Sequence, residues 1–155
     1  MKNFYQKGMS LIEILVVVAI IGILIAIVLP QFSKSRENQI LKNTLGDVVS
    51  SIHNAQTQSL ASINSSEYGV HFQADKIVIF KGKVYSAVAA DNKTINIISP
   101  ATISNVTLTG VSATSGDIYF ERLSGVSNKA GTVTISISSS TKIITISATG
   151  IVSVN

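Results

Sequence analysis

From Met9 to Leu29 the chain carries a single charged side chain, Glu13, in an otherwise apolar run that stops before Pro30. Read as a helix at about 1.5 Å per residue, the run is roughly 30 Å long, the thickness of a bilayer hydrocarbon core. An ionised carboxylate at that depth costs roughly 2.5–3.5 kcal/mol on insertion scales, so it needs a partner and marks a functional position. Met1 to Gly8 hold Lys2 and Lys7 and no acid. By the positive-inside rule this places the N-terminus in the cytoplasm and everything after Pro30 across the membrane. A removable secretory signal needs a small-residue cleavage site after its apolar region. Ile25-Ala26-Ile27-Val28-Leu29-Pro30 offers a poor one, so the segment is expected to be retained.

Two residues inside or at the end of the run weaken a helix: Gly22 by about 1 kcal/mol relative to alanine, and Pro30 by about 3 kcal/mol if it lies in a helix interior. Beyond Pro30, Leu41, Leu45, Val48, Ile52, Ala55 and Ser59 recur at steps of three and four, with Val49, Leu60 and Ile63 beside them. Lys34, Arg36, Glu37, Lys42 and Asp47 fall on the other side. This predicts an amphipathic helix to about Ser62 whose apolar stripe must be covered. After Asn64 the period changes to two. Tyr68, Val70 and Phe72 alternate, and β-rich runs follow at Lys76 to Lys81, Lys83 to Val88, Thr94 to Ser99, Asn105 to Thr109, Asp117 to Arg122, Thr132 to Ser138, Lys142 to Ser147 and Ile151 to Val154. Gly, Asn, Ser and Asp turns separate them.

The expected fold is therefore α+β: a long N-terminal helix, half transmembrane and half amphipathic, packed on a mainly antiparallel β-sheet. The expected divisions are 1–8 before the membrane, 9–29 across it, 30–63 as amphipathic helix and 64–155 as a β-rich domain. Roughly 120 residues beyond Pro30 suit one core and no second domain.

The chemistry-bearing residues argue against an enzyme. Cysteine is absent, so neither a disulfide nor thiolate chemistry can be invoked. His53 sits in the amphipathic helix and His71 on the expected solvent face of a strand, and neither has metal-ligand spacing around it. Asp75, Asp91, Asp117 and Glu121 are scattered through turns and strand ends. The many serines and threonines lack a G-x-S-x-G elbow; in Thr132 to Ile137 they alternate with aliphatics, as on a half-exposed strand. No cofactor and no metal site is expected. Twelve Lys and Arg face eight Asp and Glu, and without Lys2 and Lys7 the excess falls to two, too small to argue for nucleic acid.

Residues 8 to 13, Gly-Met-Ser-Leu-Ile-Glu, with their apolar sequel, Gly22 and Pro30, resemble the N-terminal methylation motif of type IV prepilins and type II secretion pseudoprepilins. Met9 departs from the phenylalanine usual at its position. The resemblance implies that a prepilin peptidase/methyltransferase cuts after Gly8 on the cytoplasmic side and methylates the new amine of Met9. The leader 1–8 is then lost, and the mature chain assembles with other pilin or pseudopilin subunits at an inner-membrane platform. It further implies that Glu13 of one subunit neutralises the Met9 amine of its neighbour in a filament, where the pair acts more as a positioning device than as glue. The stretch from Gly22 to Pro30 can lose helical hydrogen bonds in such filaments. The implied location is the bacterial inner membrane as a single-pass protein, then a filament in the periplasm or at the cell surface.

Beyond residue 30, Val48 to Ser62 followed by the strand at Tyr68, and the ending Lys142 to Ser147, Gly150, Ile151 to Val154, resemble the H-type minor pseudopilins and FimT-like minor pilins. Many major pilins close a C-terminal loop with a disulfide; the lack of cysteine favours a minor subunit. Some FimT-like proteins take part in DNA uptake and carry arginines just after the glycine equivalent to Gly150. Here that place reads Ile151-Val152-Ser153-Val154, with no cation to meet a phosphate. Lys76, Lys81 and Lys83 around Gly82 are read as a charged sheet edge that discourages aggregation. The alternative function is a tip-located binding pilin that recognises cargo, a surface or DNA through loops such as Ala89 to Lys93 or Val111 to Gly116.

Overall fold

The computed structural model describes residues 9–138 and 140–155. It divides into two compact units, one reaching to Arg36 and the other spanning Glu37–Asn155. Helix α1 (Leu11–Leu60) continues through Gly22 and Pro30, and contributes its first part to one unit and its last part to the other. It stops where Ser62, Asn64 and Ser65 take left-handed backbone angles, with φ of 51°, 52° and 51°. Short polar side chains tolerate that conformation better than branched ones, and a 3₁₀ turn (Ile63–Ser65) results.

Nine strands follow among the described residues: β1 (Tyr68–Phe72), β2 (Lys76–Lys81), β3 (Lys93–Asn96), β4 (Thr102–Leu108), β5 (Val111–Ala113), β6 (Gly116–Phe120), β7 (Gly131–Ile137), β8 (Ser140–Ile146) and β9 (Val152–Val154). They form two antiparallel sheets, ordered β3-β2-β1-β6 and β5-β4-β7-β8-β9. The expected helix on antiparallel strands is present, but a single sheet is not. Strand alternation records which face of a strand is buried and not which strand lies beside it, so the return of β6 to pair with β1 could not be read from the pattern.

One core joins the second part of α1 to both sheets. Leu41, Val48, Ile52 and Ala55 are buried against it, as their spacing predicts. Facing them are Val70, Phe72, Ile118 and Phe120 from the first sheet, with Val133, Ile135, Ile144 and Ile146 from the second. The alternation in β7 is kept: Val133, Ile135 and Ile137 point inward while Thr132, Thr134 and Ser136 are half-exposed. Leu60 and Ile63, expected beside the apolar stripe, are instead exposed at 45% and 43%, because the helix ends there.

Ser59 is the polar member of that stripe and is fully buried. Its Oγ accepts the Tyr68 N–H at 2.8 Å and donates to the Tyr68 carbonyl at 3.3 Å, fastening the start of β1 to the end of α1. The Ser59 carbonyl accepts the Leu123 N–H at 3.0 Å, which ties down the loop after β6. A hydroxyl at this position thus gives the buried backbone groups at the start of β1 a partner from the helix.

Three further expectations change. Lys83 to Val88 is not a strand: Gly82, at φ 100°, ends β2 and the following loop folds back over the outer face of the first sheet. There the Tyr85 ring stacks on His71 at 3.9 Å and 7°, and meets Phe80 edge-on at 5.7 Å. A Cβ on Gly69 would collide with the Phe80 ring and the Ile118 carbonyl, so glycine is what lets Phe80 lie across β1. Val78 and Phe80 are buried on this side although they point away from α1. Second, Val111 to Ala113 is a strand and not a loop, because Thr109 and Gly110, at φ 53° and 81°, form the two-residue reversal that suits a hairpin. Third, β2 is paired on both sides over Lys76 to Ile79, so Lys76 does not guard an edge, while Lys81 lies past the end of the β3 pairing. Lys76 and Lys81 stand at opposite ends of that strand, about 17 Å apart at the usual rise. Lys83 faces Glu67 at 3.6 Å and the Tyr119 ring at 5.7 Å.

Replacing Ser59 by alanine leaves both backbone groups of Tyr68 without their side-chain partner in a buried place. It should lower unfolding stability by about 1–3 kcal/mol, read as a lower urea midpoint with unchanged slope.

Candidate functional site

The N-terminal unit is built as a helix with nothing of its own to lie against. Every described residue from Met9 to Arg36 is exposed. These include Leu11 at 82% and Phe32 at 69%, and the apolar side chains point to all sides. Leaving one such large aliphatic group in water rather than burying it costs about 1.5–3 kcal/mol, so a run of this length must be covered by lipid or by other helices. By length and composition α1 can cross a membrane.

Ser10 starts the helix. Its carbonyl accepts the N–H groups of Glu13 at 3.1 Å and Ile14 at 3.3 Å, and its Oγ accepts the Glu13 N–H at 3.3 Å. Ser10 and Glu13 have the S-x-x-E spacing of a capping box, a start signal present in the sequence that the motif reading passed over. Glu13 therefore lies in the first turn of α1, where the unpaired N–H groups make a carboxylate favourable. That location reduces the cost of its charge without an ion-pair partner inside the described chain. Met9 precedes the helix and is 65% exposed; Gly8 and the expected cut after it lie outside the described residues.

Gly22 and Pro30 both lie within α1. A Cβ on Gly22 would meet nothing within 4 Å, so no contact inside the chain requires glycine there. The space beside it is open to whatever covers the helix.

In the second unit the scattered acids do not converge. Asp117 pairs with Lys129, 3.8 Å between charges, and the Lys129 ammonium also donates to the Asp117 carbonyl at 3.0 Å. Asp75, Asp91 and Glu121 are exposed at separate places. No group of three or more His, Cys, Asp or Glu suited to a metal occurs among the described residues. His53 is exposed on α1, as expected. His71 is not on open surface. It is half-buried under Tyr85, its Nδ1 is enclosed without a hydrogen-bond partner, and it lies opposite Asp117 in the β1–β6 register. Burial holds its pKa below the ordinary histidine value of 6.5, against an upward pull from Asp117 and with a smaller downward push from Lys76.

Residues 3–29 match a family model described as the prokaryotic N-terminal methylation motif. The match supports the type IV pilin and pseudopilin family, whose members are structural proteins, and it covers the helix start, Glu13, Gly22 and the whole apolar run to Leu29. Comparison with solved structures gives no significant match.

The His71 environment sets a pH dependence. A histidine harder to protonate folded than unfolded binds fewer protons in the native state between its two pKa values, so its contribution is complete above about pH 6.5 and is lost as the pH falls through that window. Thermal melts from pH 7.5 to 5 should show a decline that is shallower in His71→Asn, with the difference between the two proteins narrowing below pH 6.5.

Proposed function

We propose that this chain is a structural subunit, minor rather than major, of a type IV pilus or a type II secretion pseudopilus. Its prepilin form is cut after Gly8 by the prepilin peptidase, methylated on Met9 by the same enzyme, and held in the cytoplasmic membrane by residues 9–29 until it enters a filament. Lys2 and Lys7 keep the leader in the cytoplasm, and the unit from Glu37 onward lies on the other side.

The observation that carries this reading is an uncovered apolar helix with one carboxylate in its first turn, inside a segment that matches the methylation motif. Cleavage creates a cation at Met9. Within a subunit the Glu13 carboxylate sits in the first turn of α1, where the helix start favours a negative charge, and its oxygens can accept the amine of the next subunit. The apolar faces then cover one another, Gly22 permits close approach, and a mismatch in register would leave an unpaired charge in an apolar bundle. Such a pair selects position more than it adds stability. The partners are the processing enzyme, other pilin subunits and a membrane assembly platform. The absence of cysteine supports the minor role, and the uncharged Ile151 to Val154 segment argues against DNA capture there.

Glu13→Val keeps the helix apolar and removes the acceptor. Its abundance in sheared filaments relative to membranes should fall by about tenfold or more, the change that corresponds to 1.4 kcal/mol per contact, with membrane levels unchanged. Undiminished incorporation would refute the pairing.

A further inference from the structure

The second sheet has two open edges whose backbones fit each other. At one edge, Val111 and Ala113 face β4 across the tight Thr109–Gly110 reversal, which leaves the N–H and C=O of Ser112 directed outward. At the other, Ile143 and Asn155 exchange both backbone hydrogen bonds, 3.2 and 2.9 Å, and the Ser147 N–H donates to the Ile151 carbonyl. By alternation, Ser153 faces β8, and the N–H and C=O of Val152 and Val154 are directed outward. Both edges are short, three residues each, and Val111-Ser112-Ala113 and Val152-Ser153-Val154 hold no charge and no proline to turn a partner strand away.

Direction and side chains agree with the backbone. Four antiparallel steps separate β5 from β9, so the two strands run the same way. Two copies facing the same direction would therefore bring β9 of one beside β5 of the other in parallel. In a parallel pair, one residue bonds to the two neighbours of the residue opposite it. Ser112 opposite Ser153 of the second copy satisfies this, its N–H donating to the Val152 carbonyl and its carbonyl accepting the Val154 N–H. The same register continues a row of hydroxyls, Ser112, Thr107, Thr132, Thr145 and Ser153, that crosses all five strands on the outer face. Val152 and Val154 then fall on the side of Val111 and Ala113, beside a cleft of about 360 Å³ lined in part by Val106 and Leu108.

We infer that the β9 edge of one subunit docks on the β5 edge of a second copy, extending the sheet from copy to copy. The contact is head-to-tail, leaves one edge free on each side and does not close on itself, which suits an open helical assembly. The inference rests on the filament reading for the common direction of the copies.

The chain has no cysteine, so engineered ones report without background. In one chain Ser112 and Ser153 are four strand spacings apart, about 19 Å, too far for a disulfide. Full-length S112C/S153C, oxidised in sheared filaments, should give a short ladder of covalent oligomers, as expected of a minor subunit that sits in short runs of adjacent copies, while S112C and S153C alone stay monomeric and a mixture of the two gives dimers only. Val154→Pro removes an outward N–H that no strand of its own sheet uses; it should abolish the ladder in the triple variant and leave the melting temperature unchanged. Filaments that contain S112C/S153C without cross-linking overturn the docking but not the subunit reading, and dimers from S153C alone overturn it in favour of a two-fold contact. Absence of the unsubstituted chain from filaments defeats the subunit reading on which the docking rests.

Discussion

Uncovered apolar surface on the first part of α1 sets the terms for the rest of the chain. Covering it in water would need a partner layer that the N-terminal unit does not possess, since every described residue to Arg36 is exposed. The helix is therefore stable in two surroundings, lipid and a bundle of like helices, and the difference between them is small for aliphatic side chains. A small difference is what the proposed transfer from membrane to filament would require. On that proposal Glu13 becomes decisive, because a charge is the group for which the two surroundings differ most.

The second part of the same helix meets the same demand within the chain. Leu41, Val48, Ile52 and Ala55 are covered by two sheets, and Ser59 converts the end of the helix into the start of β1. The two parts thus divide the work: one buries its apolar stripe permanently, the other leaves its surface for neighbours. The fold-back of Tyr85 onto His71 and Phe80 covers a second, smaller apolar patch on the far side of the first sheet and makes a titratable ring part of it.

Much of this was legible in the residues because it follows from periodicity. The three-and-four spacing from Leu41 to Ala55 marks the buried side of α1, and Thr132 to Ile137 marks the two faces of β7. Pairing was not legible. Nothing local to Asp117-Ile118-Tyr119 says that it returns to β1 rather than joining β5, its neighbour in sequence. The run Val84-Tyr85-Ser86-Ala87-Val88 is rich in strand-forming residues, yet only Tyr85 finds an apolar site, and Gly69, opposite Phe80 on β1, helps create it. At the N-terminus the hexapeptide Gly8 to Glu13 carries the proposed site almost alone, because the chemistry proposed for it is one cut, one amine and one acid. The capping role of Ser10 was equally present in the spacing, but was masked by the motif that contains it.

The most direct test is the intact mass of the protein recovered from sheared filaments of cells with a working prepilin peptidase. A chain that begins at Met9 and carries one added methyl group is the expected result, since only cleavage after Gly8 supplies the amine that Glu13 is proposed to meet. An intact, unmethylated N-terminus in that sample would contradict the proposed assembly contact at its source.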